Sequence, residues 1–251
     1  MFTLSCDRAY LYGHPERELT PGEQARYGDA LAQRATGAPA QYITGHQEFW
    51  GMDLIVSPAV LIPRPETEHV IEAVLQHVQR PSTASLRIVD VGTGSGCIAL
   101  ALAKELPSAE IHATEISPAA LEIARANAAR YQLEGRIQFH RADLLQGIGP
   151  GGFDFVVSNP PYVGESEEDQ VQLEVRKFEP RTAVFAGPSG LEIIERLIPQ
   201  ARQALKTQGW LVMEMSGRIA ERVRQLLDGW KNVQVTRDLQ SIPRVVSAQA
   251  P

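Results

Sequence analysis

From residue 86 onwards, short apolar runs alternate with longer segments in which apolar residues recur every three or four positions. The short runs are typical of strands buried on both faces, and the longer segments are typical of helices. Strands that alternate with helices predict a parallel sheet covered on both sides. The predicted strands are 87–91, 110–114, 136–140, 153–158, 210–215, 233–237 and 244–248, and the predicted helices are 97–106, 118–131, 191–205 and 219–227.

The last two predicted strands have no helix between them, so we expect the final strand to insert antiparallel. The sequence therefore predicts an α/β fold with a doubly wound, mostly parallel seven-stranded sheet. A polar stretch over 164–180 interrupts the alternation and is a candidate lid.

The first 80 residues have a different pattern, which predicts a small helical segment and a β-hairpin. Thr20 to Glu23 reads as a capping box that starts a helix to about Ala35, with Gly37 as its left-handed end. Aromatic and β-branched residues punctuated by glycine predict a hairpin over 41–44, 48–50 and 53–56. Residues 63–66 then open a helix with apolar residues at helical spacing.

Composition and charge favour a globular protein and disfavour several kinds of partner. The chain has 251 residues, 43% of them apolar, with a net charge of −6, which suits a globular protein and disfavours nucleic acid as the main partner. Its two cysteines cannot form a disulfide framework, and no metal-ligand spacing appears, so no metal is expected. Charged residues near the start and the short apolar runs predict a cytoplasmic protein without membrane contact.

A glycine-rich turn, Asp90-Val91-Gly92-Thr93-Gly94-Ser95-Gly96, follows the first predicted strand of the sheet. Such a turn lets a ligand approach backbone amides at a helix N-terminus. Cys97 stands where a dinucleotide-binding fingerprint needs glycine or alanine. Glu115 ends the second predicted strand, where a carboxylate can accept both ribose hydroxyls. The turn predicts a nucleoside ligand and leaves S-adenosylmethionine and NAD as alternatives.

The tetrapeptide Asn159-Pro160-Pro161-Tyr162 follows the fourth predicted strand, beside the expected switch point of the sheet. Neither proline has an N–H, so a stiff loop displays acceptors without competing donors. The Asn159 side-chain oxygen and the Pro160 carbonyl can each accept one hydrogen of a planar NH2 group, and Tyr162 can pack on its plane. Holding that nitrogen positions it for attack on an activated methyl group.

Together these two motifs resemble the class I S-adenosylmethionine-dependent amino-methyltransferases, a Rossmann-like fold. The tetrapeptide alone does not distinguish glutamine side chains from the exocyclic NH2 of adenine or guanine. Three further segments resemble the peptide chain release factor glutamine methyltransferases of the HemK/PrmC type, and the likeness runs from about residue 8 to the C-terminus. These segments are QYITGHQEFWG (41–51), LIPRPETE (61–68) and VRKFEP (175–180).

The resemblance implies methyl transfer to the side-chain amide nitrogen, N5, of the glutamine in the GGQ motif of class 1 release factors. The methyl donor would be S-adenosylmethionine, leaving S-adenosylhomocysteine. By the same resemblance, 159–162 would form the glutamine slot, with Asn159, Pro160 and Tyr162 in catalytic positions. The expected cofactor contacts are Asp90, Gly92, Thr93, Gly94, Ser95, Gly96, Glu115, Asp143, Leu144 and Asn159.

The resemblance also implies a domain division. Residues 1–40 would be a partial helical segment that docks the substrate, 41–80 a hairpin and linking helix, and 81–251 the methyltransferase domain of a monomer. Because the family usually begins with a larger helical bundle, we expect a truncated or misassigned start. The alternatives are an amino-methyltransferase of DNA or rRNA, a non-catalytic binding module and a nicotinamide oxidoreductase. The acidic charge balance disfavours the nucleic-acid enzyme, and the intact motifs disfavour the binding module. Cys97 disfavours the oxidoreductase.

Overall fold

A small helical region and a hairpin precede the sheet in this computed structural model, which describes residues 2–78 and 85–251. The predicted capping box is confirmed: the Thr20 hydroxyl accepts from the Glu23 amide, and the Glu23 carboxylate accepts from the Thr20 amide. The elements are a 3-10 turn Phe2–Leu4, α1 Arg8–Gly13, α2 Pro21–Ala35, α3 Ala40–Thr44, β1 His46–Phe49, β2 Met52–Ile55, a 3-10 turn Pro65–Thr67 and α4 Glu68–His77.

The predicted hairpin forms from β1 and β2, but the prediction that residues 41–44 belong to it is wrong because they form α3. Local chemistry explains the difference. Gly45 adopts a left-handed φ of 77° and donates to the Gln41 carbonyl at 2.7 Å, which closes a helical turn. The Tyr42 hydroxyl then donates to the Val60 carbonyl at 2.6 Å. These contacts override the strand preference of the β-branched residues.

The seven predicted strands form one sheet, in which the last strand is antiparallel to both of its neighbours. The predicted fold class and the antiparallel insertion are therefore confirmed. The strands and helices are β3 Arg87–Val91, α5 Cys97–Glu105, β4 Glu110–Glu115, α6 Pro118–Arg130, β5 Ile137–Arg141, β6 Phe153–Ser158, β7 Val163–Gly164, α7 Leu173–Phe178, α8 Arg181–Val184, β8 Phe185–Gly187, α9 Glu192–Ala204, β9 Leu205–Glu214, α10 Ala220–Leu226, β10 Lys231–Arg237 and β11 Pro243–Gln249. The strand order in the sheet is β10-β11-β9-β6-β3-β4-β5.

Helices cover both faces of this sheet, and the strands supply one core to each face. In β3, Ile88 packs into the core with α4 and α5, whereas Val89 packs into the core with α9 and α10. This alternation follows from the two-residue period of a strand. The double coverage explains why the central strands are apolar at nearly every position.

Two segments of the C-terminal half differ from the pattern in the sequence. The predicted strand over 210–215 begins earlier, at Leu205, because Leu205 already pairs with Phe153 before a bulge that contains Gln208 at φ 65°. The polar stretch holds a 3-10 helix, Glu165–Gln170, and α7, framed by the short parallel pair β7 and β8. The predicted domain boundary at residues 80–81 lies outside the described residues.

None of the helices in the described ranges combines the length and the apolar composition that a bilayer crossing needs.

Candidate active site

The candidate active site lies where the chain changes direction across the sheet. From β3 the chain continues through β4 and β5 on one side, and it returns to β6 on the other side. The carboxyl ends of β3 and β6 are adjacent, with Val91 paired to Ser158 and the Ser158 hydroxyl donating to the Val91 carbonyl at 2.7 Å. Crevices at such switch points are the ligand sites of open α/β sheets.

The glycine-rich turn opens this crevice because its glycines adopt left-handed backbone conformations. Gly92 has a φ of 72°, and an added Cβ there would meet no described atom within 4 Å, so it would project into open space. Gly96 serves a different purpose: its Cβ would lie 3.3 Å from Ala124 and Leu100 side-chain atoms. Gly92 therefore leaves room for a ligand, and Gly96 lets α5 pack closely on α6.

Asp90 lies behind the turn, and Asp90 and Gly96 are set back from the lining of the crevice. Asp90 is fully buried, and its Oδ2 accepts from the Thr93 hydroxyl at 2.6 Å and from the Ala99 amide at 3.2 Å. Its Oδ1 has no hydrogen-bond partner among the described residues. Burial raises the pKa of Asp90 to about 7. Asp90 thus ties the turn to the start of α5.

Glu115 faces the turn from the end of β4, as the sequence predicts. Its carboxylate accepts from the Gly94 amide at 3.0 Å and from the Ser117 amide at 2.9 Å. These two bonds fix the carboxylate in the lining of a cavity of about 330 Å³. Besides Glu115, the predicted residues that line this cavity are Gly92, Thr93, Gly94, Ser95, Asp143, Leu144, Asn159 and Pro161.

The lining of this first cavity combines apolar and charged groups. Leu144 adopts a φ of 54°, and the neighbouring Asp143 pairs with Arg196 at 2.5 Å. Ile116, which also lines this cavity, is 55% exposed. Apolar walls with a few polar groups at the rim are typical of a small-molecule site.

A second cavity of about 420 Å³ adjoins the first, and Leu61, Asn159, Pro161 and Ala183 line both of them. Pro160 and Tyr162 line only the second cavity. The tetrapeptide therefore forms part of the partition between two adjacent spaces, together with Leu61 and Ala183.

Two residues that were not predicted as site residues, Thr67 and Glu214, connect the two cavities, because Thr67 lines the first and Glu214 lines the second. Asn159 Nδ2 donates to Thr67 Oγ1 at 3.0 Å, and Thr67 Oγ1 donates to Glu214 Oε2 at 2.6 Å. The Tyr162 hydroxyl donates to Glu214 Oε1 at 3.1 Å. One sequence signal could have indicated Glu214: it is the single acidic residue in the otherwise apolar run 210–215, and a buried acid usually has a specific partner.

The ionisation of these groups follows from their burial. Glu214 is only 2% exposed, and burial raises the pKa of its carboxyl. Two causes raise the pKa of the Tyr162 hydroxyl: its burial is the larger, and the nearby Glu214 carboxylate is the next. Tyr162 is therefore a neutral hydrogen-bond donor at neutral pH.

Glu179 joins two of the segments that carry the family resemblance. Its side chain is 1% exposed, accepts from the Ile62 amide at 3.1 Å and forms an ion pair with Arg64. This contact fixes the 61–68 segment, which includes Thr67, against the chain that follows α7. The described residues contain no group of three or more His, Cys, Asp or Glu side chains placed to hold a metal ion.

Comparison with known proteins identifies the family. A release factor glutamine methyltransferase from Koribacter versatilis is 57% identical over 252 residues, which cover 100% of this chain and 89% of that protein. The corresponding protein of Geobacter sulfurreducens is 39% identical, covering 98% and 85%. The chain belongs to the release factor glutamine methyltransferase family. Family models of the PrmC N-terminal domain and of the methyltransferase small domain match residues 1–45 and 67–177.

Solved structures confirm the methyltransferase fold. The hMettl16 catalytic domain, solved with a MAT2A 3'UTR hairpin, has a TM-score of 0.62 at 20% identity, covering 98% of this chain and 93% of that one. A methyltransferase from Pyrococcus furiosus has a TM-score of 0.57 at 19% identity, covering 92% and 98%. Membership of the glutamine methyltransferase family supports the predicted enzyme class over the nucleic-acid, oxidoreductase and binding-module alternatives.

Proposed function

We propose that this enzyme transfers a methyl group from S-adenosylmethionine to the side-chain amide nitrogen of the glutamine in the GGQ motif of class 1 release factors. The single observation that carries the proposal is that Asn159 and Pro161 of the tetrapeptide line both of the two adjacent cavities. Membership of the family supports the same substrate.

The first cavity fits the methyl donor. Gly92 and Gly94 leave space that a Cβ would fill, and Glu115 presents a carboxylate in the lining, where it can accept ribose hydroxyls. In this proposal, residues 92–95 hold the methionine part of the donor, and Asp143 and Leu144 lie along the adenine. Asp90 and Gly96 act through the turn, by holding it in place and by letting α5 pack on α6.

The second cavity fits the glutamine side chain. Asn159 Oδ1 and the Pro160 carbonyl accept one hydrogen each from the substrate NH2 group, and Tyr162 packs along its plane. Pro160 and Pro161 have no N–H, so the loop offers no donor that competes for these acceptors. Two acceptors fix the direction of the nitrogen lone pair, so the enzyme accelerates the reaction chiefly by positioning.

The bound donor supplies an electrophilic methyl carbon on a sulfonium. The amide nitrogen forms the new C–N bond as the C–S bond breaks, and the electron pair of that bond stays on sulfur. One proton leaves the methylated nitrogen to water, because an N-alkylated protonated amide is strongly acidic. Asn159 Oδ1 and the Pro160 carbonyl hold the hydrogens that gain positive charge, so their attraction strengthens as the bond forms.

The N-terminal segment, residues 1–40, is proposed to dock the release factor, with 41–80 as a linking unit and 81–251 as the methyltransferase domain. Tyr27 and Leu31 of α2 are 49% and 52% exposed, which leaves apolar surface for a partner. Lys177 Nζ of α7 donates to the Thr36 carbonyl at 3.1 Å, directly after α2. Since Val175 of α7 lines the second cavity, docking and the substrate slot are close together. We further propose a cytoplasmic monomer.

A parallel methylation assay tests the proposed function. The enzyme is offered labelled methyl donor with a class 1 release factor, duplex DNA and ribosomal RNA in separate reactions, and mass spectrometry locates the label. We expect one added methyl group on the release factor, on the GGQ glutamine. A release factor in which that glutamine is replaced by alanine is the matched control. Label on nucleic acid, or on the control factor, would contradict the proposal.

A further inference from the structure

We propose that Glu214 is a positioning residue that orients Asn159 through Thr67 and holds Tyr162 directly, so that one buried carboxylate sets both walls of the substrate slot. The inference rests on the proposed function, because it explains how the acceptor in that slot acquires its direction. It makes Thr67 the link between Glu214 and Asn159.

The hydrogen bonds allow a consistent assignment of donors and acceptors. The hydroxyls of Thr67 and Tyr162 each have one hydrogen to donate, and each oxygen of Glu214 accepts from one of them. Thr67 Oγ1 lies 2.6 Å from Glu214 Oε2, so its hydrogen is committed to Glu214. The same oxygen can then only accept from Asn159, whose Nδ2 lies 3.0 Å away.

This assignment fixes which end of the Asn159 amide is free. Since Nδ2 is held by Thr67, Oδ1 is the polar atom that Asn159 presents to a ligand. A side-chain amide without such a partner can rotate by half a turn and present its NH2 group instead. An NH2 group in the slot would repel the NH2 group of the substrate. Glu214 therefore excludes the unproductive orientation.

Tyr162 is held from the other side of the same carboxylate. Its hydroxyl donates to Glu214 Oε1 at 3.1 Å, so each oxygen of Glu214 accepts from one wall of the slot. Two charged groups, Glu66 and Arg244, also lie close enough to influence Glu214, and Arg244 Nη2 lies 3.7 Å from Glu66 Oε1. The carboxylate is enclosed, because Glu214 is 2% exposed.

The burial of Thr67 makes this arrangement rigid. Thr67 is 1% exposed and closes the 3-10 turn Pro65–Thr67 that directly precedes α4. The backbone on which it sits is anchored by the contact of Glu179 with Ile62 and Arg64. A relay held on two rigid elements keeps the acceptor within the small tolerance that positioning requires.

The test compares Thr67→Val with Thr67→Ser. Valine has the shape of threonine without its hydroxyl, whereas serine keeps the hydroxyl. The measurements are kcat and KM for methyl transfer to the release factor, the dissociation constant of the methyl donor, and the melting temperature. We expect Thr67→Ser to stay within about threefold of the unaltered enzyme in kcat, and Thr67→Val to lose about ten- to a hundredfold. We expect KM and donor affinity to change by less than about threefold in both.

A second variant, Glu214→Gln, tests the same positioning role if Thr67→Val does not fold. Glutamine has one NH2 end, so it cannot accept from both Thr67 and Tyr162, and kcat is expected to fall while donor binding persists. Equal kcat for Thr67→Val and Thr67→Ser, or an unchanged kcat for Glu214→Gln, would overturn the positioning role. An unaltered enzyme that does not methylate the release factor would instead overturn the proposed function.

Discussion

The amide of Asn159 donates to the hydroxyl of Thr67 at 3.0 Å, across a separation of 92 residues in the chain. Asn159 follows a strand of the sheet, whereas Thr67 belongs to the segment before it. The contact makes the segment over 61–68 part of the site and not merely a link between regions. The same hydrogen bond orients the Asn159 side-chain oxygen, which is the proposed acceptor of the substrate NH2 group.

Asn159→Ala is expected to reduce the rate of methyl transfer by several orders of magnitude, because it removes an acceptor that acts most strongly in the transition state. Affinity for the methyl donor should stay within about tenfold, since residues 92–95 and Glu115 provide the other contacts. Single-turnover rates and calorimetry measure the two quantities. A variant as fast as the unaltered enzyme would remove the proposed role of Asn159.

Glu115→Gln is expected to weaken binding of the methyl donor by about ten- to a hundredfold, because a charged acceptor for hydroxyl groups becomes neutral. The carboxylate is held by the Gly94 and Ser117 amides, so the variant also loosens the turn. Calorimetric titration measures the effect. Glu110→Gln, at the other end of β4, is the matched control and should leave affinity unchanged; equal affinities for the two variants would argue against the assignment of Glu115.

The buried carboxyl of Asp90 should make stability depend on pH. Burial raises its pKa from 3.8 to about 7, so the folded chain binds this proton more tightly than the unfolded chain. Its contribution to stability is therefore fully present below about pH 4 and is lost as the pH rises to about 7. Asp90→Asn, which does not ionise, should gain stability relative to the unaltered protein across that window.

Urea unfolding of both proteins at several pH values from about 4 to 8 measures this difference. The free-energy gap should widen with pH and then level off above about 7. A gap that stays constant over the range would show that Asp90 does not change its protonation there.

Arg64→Ala is expected to destabilise the protein by about 3 kcal/mol, because it leaves the buried Glu179 carboxylate without its counter-charge. Adding Glu179→Gln to that variant should recover part of the loss, since it removes the unpaired charge. The exposed pair of Arg181 and Glu168 is the matched control, and Arg181→Ala should shift the unfolding midpoint little. Chemical denaturation gives all three values. An Arg64→Ala variant as stable as the control would contradict this account of the contact.

Much of the fold was predictable from the sequence because its signals are local. Apolar runs mark the strands, and the capping box at Thr20 marks the start of α2. The glycine-rich turn and the tetrapeptide were also recognisable, because their chemistry depends on neighbouring residues. The predicted positions of Gly92, Glu115 and Asn159 converge on one crevice for this reason.

What could not be predicted depends on contacts between distant residues. Thr67 and Glu214 form a hydrogen bond although they are 147 residues apart in the chain, and the sequence around neither residue indicates the other as its partner. Residues 41–44 carry β-branched residues yet form a helical turn, because Gly45 and the contact of Tyr42 with Val60 decide the outcome. Asp90 was predicted as a cofactor contact, and only the packing of the glycine-rich turn shows that Asp90 lies behind that turn.

The most direct test of the central claim identifies the atom that receives the methyl group. A release factor carrying ¹⁵N in the side-chain amide of the GGQ glutamine is reacted with a methyl donor labelled with ¹³C, and nuclear magnetic resonance is used to detect one-bond coupling between the two labels. The account predicts coupling of the transferred carbon to that nitrogen, in a product with one methyl group. A methyl signal without this coupling, or no transfer to the factor, would contradict it.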